Sequence, residues 1–214
     1  TNETGVLTNL LQAAVTNLNR VLVGYTNSTL LDRAYYQRGW CFWHQGRFAE
    51  SAADFTEAAR RLPRSEQQAV ARFKLAEAQV QLQDHTNALQ NFTLLVEQYA
   101  GLPRVRAAYL DQALYQVVRS ALTLGNLSAA EGAVRKLAEW FPASAFSDRA
   151  ALLFGSELNR LGRQAEARRE FQWLLEHFQK SPLAPQVHLA IARTYREEYD
   201  AANAARKYDE WVRL

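Results

Sequence analysis

Apolar residues recur along this chain at i, i+4, i+7, i+8 and i+11, a single stripe on an α-helix at the 3.6-residue period. The stripe is plainest at Ala167, Phe171, Leu174, Leu175 and Phe178. It recurs at Ala130, Val134, Leu137, Ala138 and Phe141, at Ala88, Phe92, Leu95, Val96 and Tyr99, and at Ser51, Phe55, Ala58, Ala59 and Leu62. Towards the ends it returns as Ala14, Leu18, Val21, Leu22 and Tyr25, and as Ala204, Tyr208, Trp211 and Val212. The leading residues stand at 14, 51, 88, 130, 167 and 204, at intervals of 37, 37, 42, 37 and 37. Six stripes in register make an internal repeat.

Each of the last five stripes follows another helical stretch, with a turn between them at Gly46, Asp84, Gly125, Gly162 and Asp200. Glycine there supplies a left-handed C-cap, and Asn or Ser caps the next helix. Pro63, Pro103, Pro142 and Pro182 fall between units, where helices stop. No stretch alternates with period two, so no strand is expected. The pattern predicts an all-α chain: a leading helix over 5–25, then helix–turn–helix units at about 32–63, 68–100, 105–142, 147–180 and 184–214, in one array. The five extra residues of the long interval fall near 100–107, as a longer loop or an extra helical turn. A lone hairpin cannot cover its own stripe, so the units must stack to share a core.

The residues at fixed offsets resemble the tetratricopeptide repeat (TPR). In the first unit Tyr35, Gly39, Phe42, Gly46, Ser51, Phe55, Ala58 and Pro63 stand in the places of that pattern. The fourth offers Gly155, Leu158, Gly162, Ala167 and Phe171, and the fifth Ala192, Tyr195, Ala204 and Tyr208. The second and third depart from it, with Gln79 and Ala121 where an aromatic is usual and Val118 where a small residue is usual. The resemblance implies a right-handed α-α superhelix, a TPR solenoid, whose first helices line a concave face that binds protein or peptide segments. The junctions WFPASAFSDRA (140–150) and HFQKSPLAPQV (177–187) are similar to repeats of bacterial envelope proteins, namely outer-membrane assembly lipoproteins and the periplasmic Tol–Pal coordinator. That similarity implies a periplasmic or outer-membrane-associated setting, with a cytoplasmic one as the alternative.

On this scheme the first unit brings Arg33, Tyr36, Gln37, Trp40 and Trp43 to the concave face, and the second brings Lys74. Tyr115 and Arg119 come from the third, Arg149, Asn159 and Arg160 from the fourth, and Arg193 and Arg196 from the fifth. Seven of these are cations, against Glu77 and Glu197 on the same helices. The expected groove is basic at one end and aromatic at the other. Arg binds carboxylates bidentately and Trp and Tyr are favoured anchors, so the expected partner is an acidic protein or peptide segment. Arg60 and Arg135, on second helices, lie away from that face. The Lys and Asn places of the carboxylate-clamp TPR grooves hold Tyr36 and Trp40 in the first unit and Gln112 and Gln116 in the third, so no clamp is expected.

Composition narrows the function further. Of 214 residues, 25 are Lys or Arg and 22 Asp or Glu, a net charge of +3 with no basic run, which argues against nucleic acid as the partner. No apolar run approaches the roughly 18 residues of a membrane span. His44, His85, His177 and His188 are scattered, with no metal-ligand spacing, so neither metal nor cofactor is expected. Cys41 and His44 lie three apart on one helix but lack an orienting third group, so a packed cysteine is the reading and no enzyme is expected. The chain contains no Met, even at position 1, which points to a segment of a longer protein. The terminal stripes lack neighbours, so self-association through the end helices is an alternative role. A sensor or accessory domain of a larger enzyme or regulator is another.

Overall fold

The computed structural model describes residues 2–213, with side chains from Val6 to Arg213. Every regular element among them is helical. Helix α1 (Asn2–Gly24) leads into the hairpins α2 (Leu31–His44) with α3 (Phe48–Arg61) and α4 (Glu66–Gln81) with α5 (His85–Tyr99). A helical run then passes through α6 (Pro103–Val105), a π-helical turn at Arg106–Leu110 and α7 (Asp111–Thr123), followed by α8 (Leu127–Trp140). Two further hairpins close the chain, α9 (Ser147–Arg160) with α10 (Gln164–His177) and α11 (Ala184–Glu197) with α12 (Ala201–Val212). The chain divides into two compact units, one ending at Ala113 and one beginning at Leu114, within α7.

The long interval is a helical insertion. Second helices α5 and α8 start 42 residues apart, whereas α4 and α6 start 37 apart, so the surplus lies inside the run from Pro103 to Thr123. The π-helical turn absorbs part of it. Pro103 therefore opens a helix at its first turn, where its missing N–H has no helical partner to lose, rather than lying between units.

The turns share one geometry. Gly46, Gly125 and Gly162 hold φ of 72°, 71° and 76°, and the equivalent residues at the other two turns are Gln83 and Tyr199, both at φ 60°. Asp84 and Asp200 are thus not the turn residues but the caps that follow them. Each accepts a hydrogen bond from the backbone N–H three residues on and a second from the side-chain amide of Asn87 or Asn203. The non-glycine left-handed residue costs about 1–2 kcal/mol, and the two turns that bear this cost carry the doubly bonded Asp cap.

One small-to-large pairing organises the packing. Gly39 faces the Phe55 ring and Gly155 the Phe171 ring, both phenylalanines essentially fully buried. The same positions hold Ala76 and Phe92, then Val118 and Val134, then Ala192 and Tyr208. Val118, out of pattern by sequence, thus stands opposite a second helix whose aromatic has shrunk to valine, and both are fully buried. In the first unit Phe55, Ala58, Ala59, Leu62, Ala71 and Leu75 form one cluster, and Leu22 of α1 joins Leu31 and Ala34 in another. At the ends, Val6, Leu7 and Leu10 are 56–63% exposed and Val212 74%, while Tyr208 and Trp211 are half-buried.

Candidate functional site

In the compact unit that ends at Ala113 the structure gathers Tyr36, Trp40, Trp43 and Lys74 into one cluster. Tyr36, Trp40 and His44 follow one another at i, i+4 and i+8 on α2, and the Trp40 indole stacks on the His44 ring at 5.7 Å. Lys74 of α4 places its ammonium 4.9 Å from the Trp40 ring and 4.5 Å from that of Trp43. Its charge is taken by Glu77, 2.6 Å away, and Gln112 donates to the other Glu77 oxygen. Both side chains of that pair are only 15% exposed. Lys74 is therefore part of a half-buried cation–π and ion-pair network rather than a free charge. Burial raises the Tyr36 phenol above its ordinary value.

The tryptophans are not detached from the core. Trp40 meets Phe55 edge-on at 5.9 Å, Trp43 meets Phe48 at 5.2 Å, and both pack on the Phe55 cluster. Removing either ring therefore disturbs stability as well as any ligand, because the helix pitch turns one edge of each inward. Gln37 is exposed beside them.

In the compact unit that begins at Leu114 the equivalent of Tyr36 is Tyr115, packed on Phe146 at 5.2 Å. Arg119 and Arg193 occupy the place of Trp40, and Asn159 and Arg196 that of Trp43. Arg119, Arg193 and Arg196 are exposed and in no ion pair among the described residues. The Asn159 amide donates to Glu197 at 2.7 Å. Arg160 is held bidentately by Glu157, which takes up its charge; that carboxylate was not among the expected face residues. Arg33 and Arg149 stand apart from the others. Both lie in the first turn of their helices and line clefts at the junctions between hairpins, of about 490 Å³ and 670 Å³. Seven residues before the place of Trp40, which is two helical turns, they lie on the same side of the helix but about 10 Å nearer its N-terminus.

Two buried carboxylates escaped the sequence reading. Asp54 receives two hydrogen bonds from Arg38, at 2.6 and 2.7 Å, and Glu170 receives two from Arg135. They occupy the same repeat position, just before Phe55 and Phe171, where a side chain is turned against the neighbouring helix. Arg135 is thus not an idle outer residue: its guanidinium also lies 4.0 Å over the Trp173 ring. Burial pushes both carboxyls above their ordinary values, against the pull of the arginines. Burial likewise pushes the Cys41 thiol up, with Asp54 adding to it, the opposite of what a nucleophile requires. Among the described residues no three His, Cys, Asp or Glu side chains are placed to hold a metal, and no helix is long and apolar enough to cross a membrane.

Family models of the tetratricopeptide repeat match residues 32–65, 70–101 and 152–214, together more than half of the chain. The chain belongs to the tetratricopeptide repeat family. Solved structures agree on the TPR fold. The MamA protein superposes with a TM-score of 0.66 at 12% identity, over 87% of this chain and 92% of its own. A tetratricopeptide repeat protein from Parabacteroides merdae gives 0.61 at 17% identity, over 94% and 72%. YrrB, described as a TPR protein with an unusual peptide-binding site, gives 0.58 at 14% identity, over 91% and 90%. At these identities the likeness shows the fold alone: an all-α array of hairpins of the α-α superhelix class. The sequence matches no curated protein. TPR chains are of a kind that serves in protein interaction.

Proposed function

We propose that this chain is a non-enzymatic scaffold that holds an acidic protein or peptide segment on the face formed by its first helices. The supporting observation is that Arg119, Arg193 and Arg196, all on first helices at the places of Trp40 and Trp43, are exposed without an ion pair among the described residues. Most second-helix cations, by contrast, are paired: Arg60 and Arg61 with Glu57, Arg135 with Glu170, Arg168 with Glu198, and Lys207 with Glu210. Leaving three guanidiniums unpaired gains nothing for folding and suits recognition of carboxylates. The compact unit that ends at Ala113 carries its own cluster, Tyr36, Trp40 and Trp43, of the residue types preferred as anchors. YrrB, of the same fold, has a peptide-binding site by its description. The junctions over 140–150 and 177–187 support a setting in the bacterial envelope, which fractionation of the source cells tests.

Affinity capture from those cells, read by quantitative mass spectrometry, tests the surface. A partner held by the wild-type chain is expected to be lost, or weakened at least about tenfold, when Arg119, Arg193 and Arg196 are reversed to Glu, since each charge-assisted bond is worth about 1.5–3 kcal/mol. Arg60→Glu, on a second helix, is the control. Loss with the control and retention with the triple variant would move the working surface off the first helices.

A second reading, self-association, is favoured by Val6, Leu7 and Leu10, which α1 leaves more than half exposed. Sedimentation velocity is expected to show a concentration-dependent dimer that Leu10→Glu abolishes. A wild type that stays monomeric at high concentration removes this reading.

A further inference from the structure

The junction cleft of the second unit combines features that the first-helix face does not use. It opens between two segments, 142–149 across the junction of α8 and α9 and 176–183 across that of α10 and α11, and measures about 670 Å³. That volume falls within the roughly 300–1,000 Å³ of ordinary ligand sites and far exceeds a single small anion. Its wall is apolar at Pro142, Phe178, Pro182 and Leu183, and its charged side chains are Arg149, Lys180, Asp148 and Glu176. The acids equal the cations in number, but each is engaged by a neutral donor: Asp148 accepts from the Ser181 hydroxyl at 2.6 Å, and Glu176 from the Gln172 amide at 3.1 Å. The cations are not. Arg149 and Lys180 are exposed and make no hydrogen bond or ion pair among the described residues. His177 on the same rim donates its Nδ1–H to the Trp173 carbonyl at 2.9 Å, so its unused Nε2 is an acceptor rather than a further donor.

The first unit provides an internal comparison. Its cleft is lined by Asp32, Arg33, Leu62, Pro63, Ser65, Glu66 and Gln67, which stand 116 residues before Asp148, Arg149, Phe178, Gln179, Ser181, Pro182 and Leu183. The Asp–Arg pair and the serine recur. The remaining cations do not stay free there, however. Arg64, at the place of Lys180, donates to the Gln98 carbonyl at 2.6 Å. Arg61, at the place of His177, is bound to Glu57 at 2.8 Å and lies over the Tyr35 ring. The same backbone cleft thus has its outer cations consumed by the fold in one unit and left open in the other. Glu66 further replaces the apolar Pro182 in the first cleft and brings a negative charge.

We infer that the cleft between segments 142–149 and 176–183 is a second binding site, taking an extended acidic polypeptide segment. Arg149 and Lys180 receive its carboxylates, and Pro142, Phe178 and Leu183 receive an intervening apolar side chain. Arg149 stands two helical turns from the place of Trp40 on α9, and reversal of Arg119, Arg193 and Arg196 leaves the cleft residues intact, so the cleft and those three arginines can fail independently.

The test uses fluorescence anisotropy at low ionic strength with fluorescein-labelled Glu-Glu-Leu-Glu-Glu amide as the probe. The wild type is expected to bind it, more weakly as salt rises, and to ignore the Gln-Gln-Leu-Gln-Gln counterpart. Arg149→Gln with Lys180→Gln is expected to weaken binding at least about tenfold, whereas Arg33→Gln in the other cleft changes it less than about twofold. Both altered side chains are free of partners, and matching circular dichroism melts confirm the fold of the variant. In the wild type, probe-induced amide shifts are expected at Ala145, Lys180 and Leu183, a readout that needs no variant. The inference is overturned by no binding at millimolar protein, by equal affinity of the double variant, or by shifts confined to other loops. Full competition by inorganic phosphate at matched ionic strength overturns it as well, since that would make the cleft a small-anion site.

Discussion

Gly155→Ala is expected to destabilise the protein by about 1–3 kcal/mol, although alanine is the better helix former by about 1 kcal/mol. A Cβ at residue 155 would lie 2.5 Å from Cε1 and 2.8 Å from Cδ1 of Phe171, an aromatic buried to 1% exposure with no room to retreat. Two other helical glycines turn this into a graded series. At Gly39 the nearest ring atoms of Phe55 are 3.2 Å away, so a small shift accommodates the methyl and the propensity gain roughly offsets it. At Gly132 nothing lies within 4 Å, and alanine is expected to stabilise by about 0.5–1 kcal/mol. Phe171→Ala removes the ring instead and is expected to cost about 3–5 kcal/mol. The double change Gly155→Val with Phe171→Val, which copies Val118 and Val134, should recover a substantial part of that loss, because volume returns from the facing helix. Denaturant unfolding of the five variants measures all of this. The same sign at all three glycines, or additive costs at 155 and 171, would mean that the small-to-large pairing does not set helix spacing.

The repeat was legible because stripe period and turn spacing are local properties of the chain, and each recurrence repeats the evidence. Even the degenerate third hairpin was marked at Val118, though its meaning needs the partner valine 16 residues on. The π-helical turn at Arg106–Leu110 was left open as a loop or a turn, since a five-residue surplus does not say how it is absorbed. The candidate face was legible by position only. Spacing places Trp40, Trp43 and Lys74 on first helices but does not report that Glu77 neutralises Lys74 or that Glu157 neutralises Arg160. It also does not report that Arg33 and Arg149, in the first turn of their helices, line the clefts at the junctions between hairpins. Buried charge was the least visible. Asp54 and Glu170 sit beside the stripe, and only the neighbouring helix makes them interior. A signal was present all the same: both precede the large aromatic of a second helix, and Asn91 holds the same place before Phe92, bonded to Arg72.

That hidden charge yields the other large effect. Arg135→Ala is expected to cost about 3 kcal/mol at neutral pH, although by sequence it is a solvent-facing residue on a second helix. Its partner Glu170 has a side chain 4% exposed, and deleting the arginine strands a carboxylate in the interior, whereas an exposed pair would forfeit less than about 1 kcal/mol. Glu170→Gln should cost less, because the amide buries no charge and still accepts from the guanidinium. Acidity separates the two. Burial holds the folded Glu170 carboxyl above its unfolded value, so its contribution to stability is fully present below the unfolded value and is lost as pH rises through the folded one. The wild type is therefore expected to gain stability relative to Glu170→Gln as pH falls from neutral towards the ordinary carboxylate range. In Arg135→Ala the opposing pull of the guanidinium is gone, so the folded carboxyl stands higher still and the recovery begins nearer neutrality. Unfolding free energies of the three proteins between pH 7 and about pH 4 provide the measurement, over the window that a raised carboxyl defines. A deficit in Arg135→Ala that stays constant over that range would mean that Glu170 is not stranded. The loss would then belong to the lost packing of the Arg135 guanidinium on Trp173.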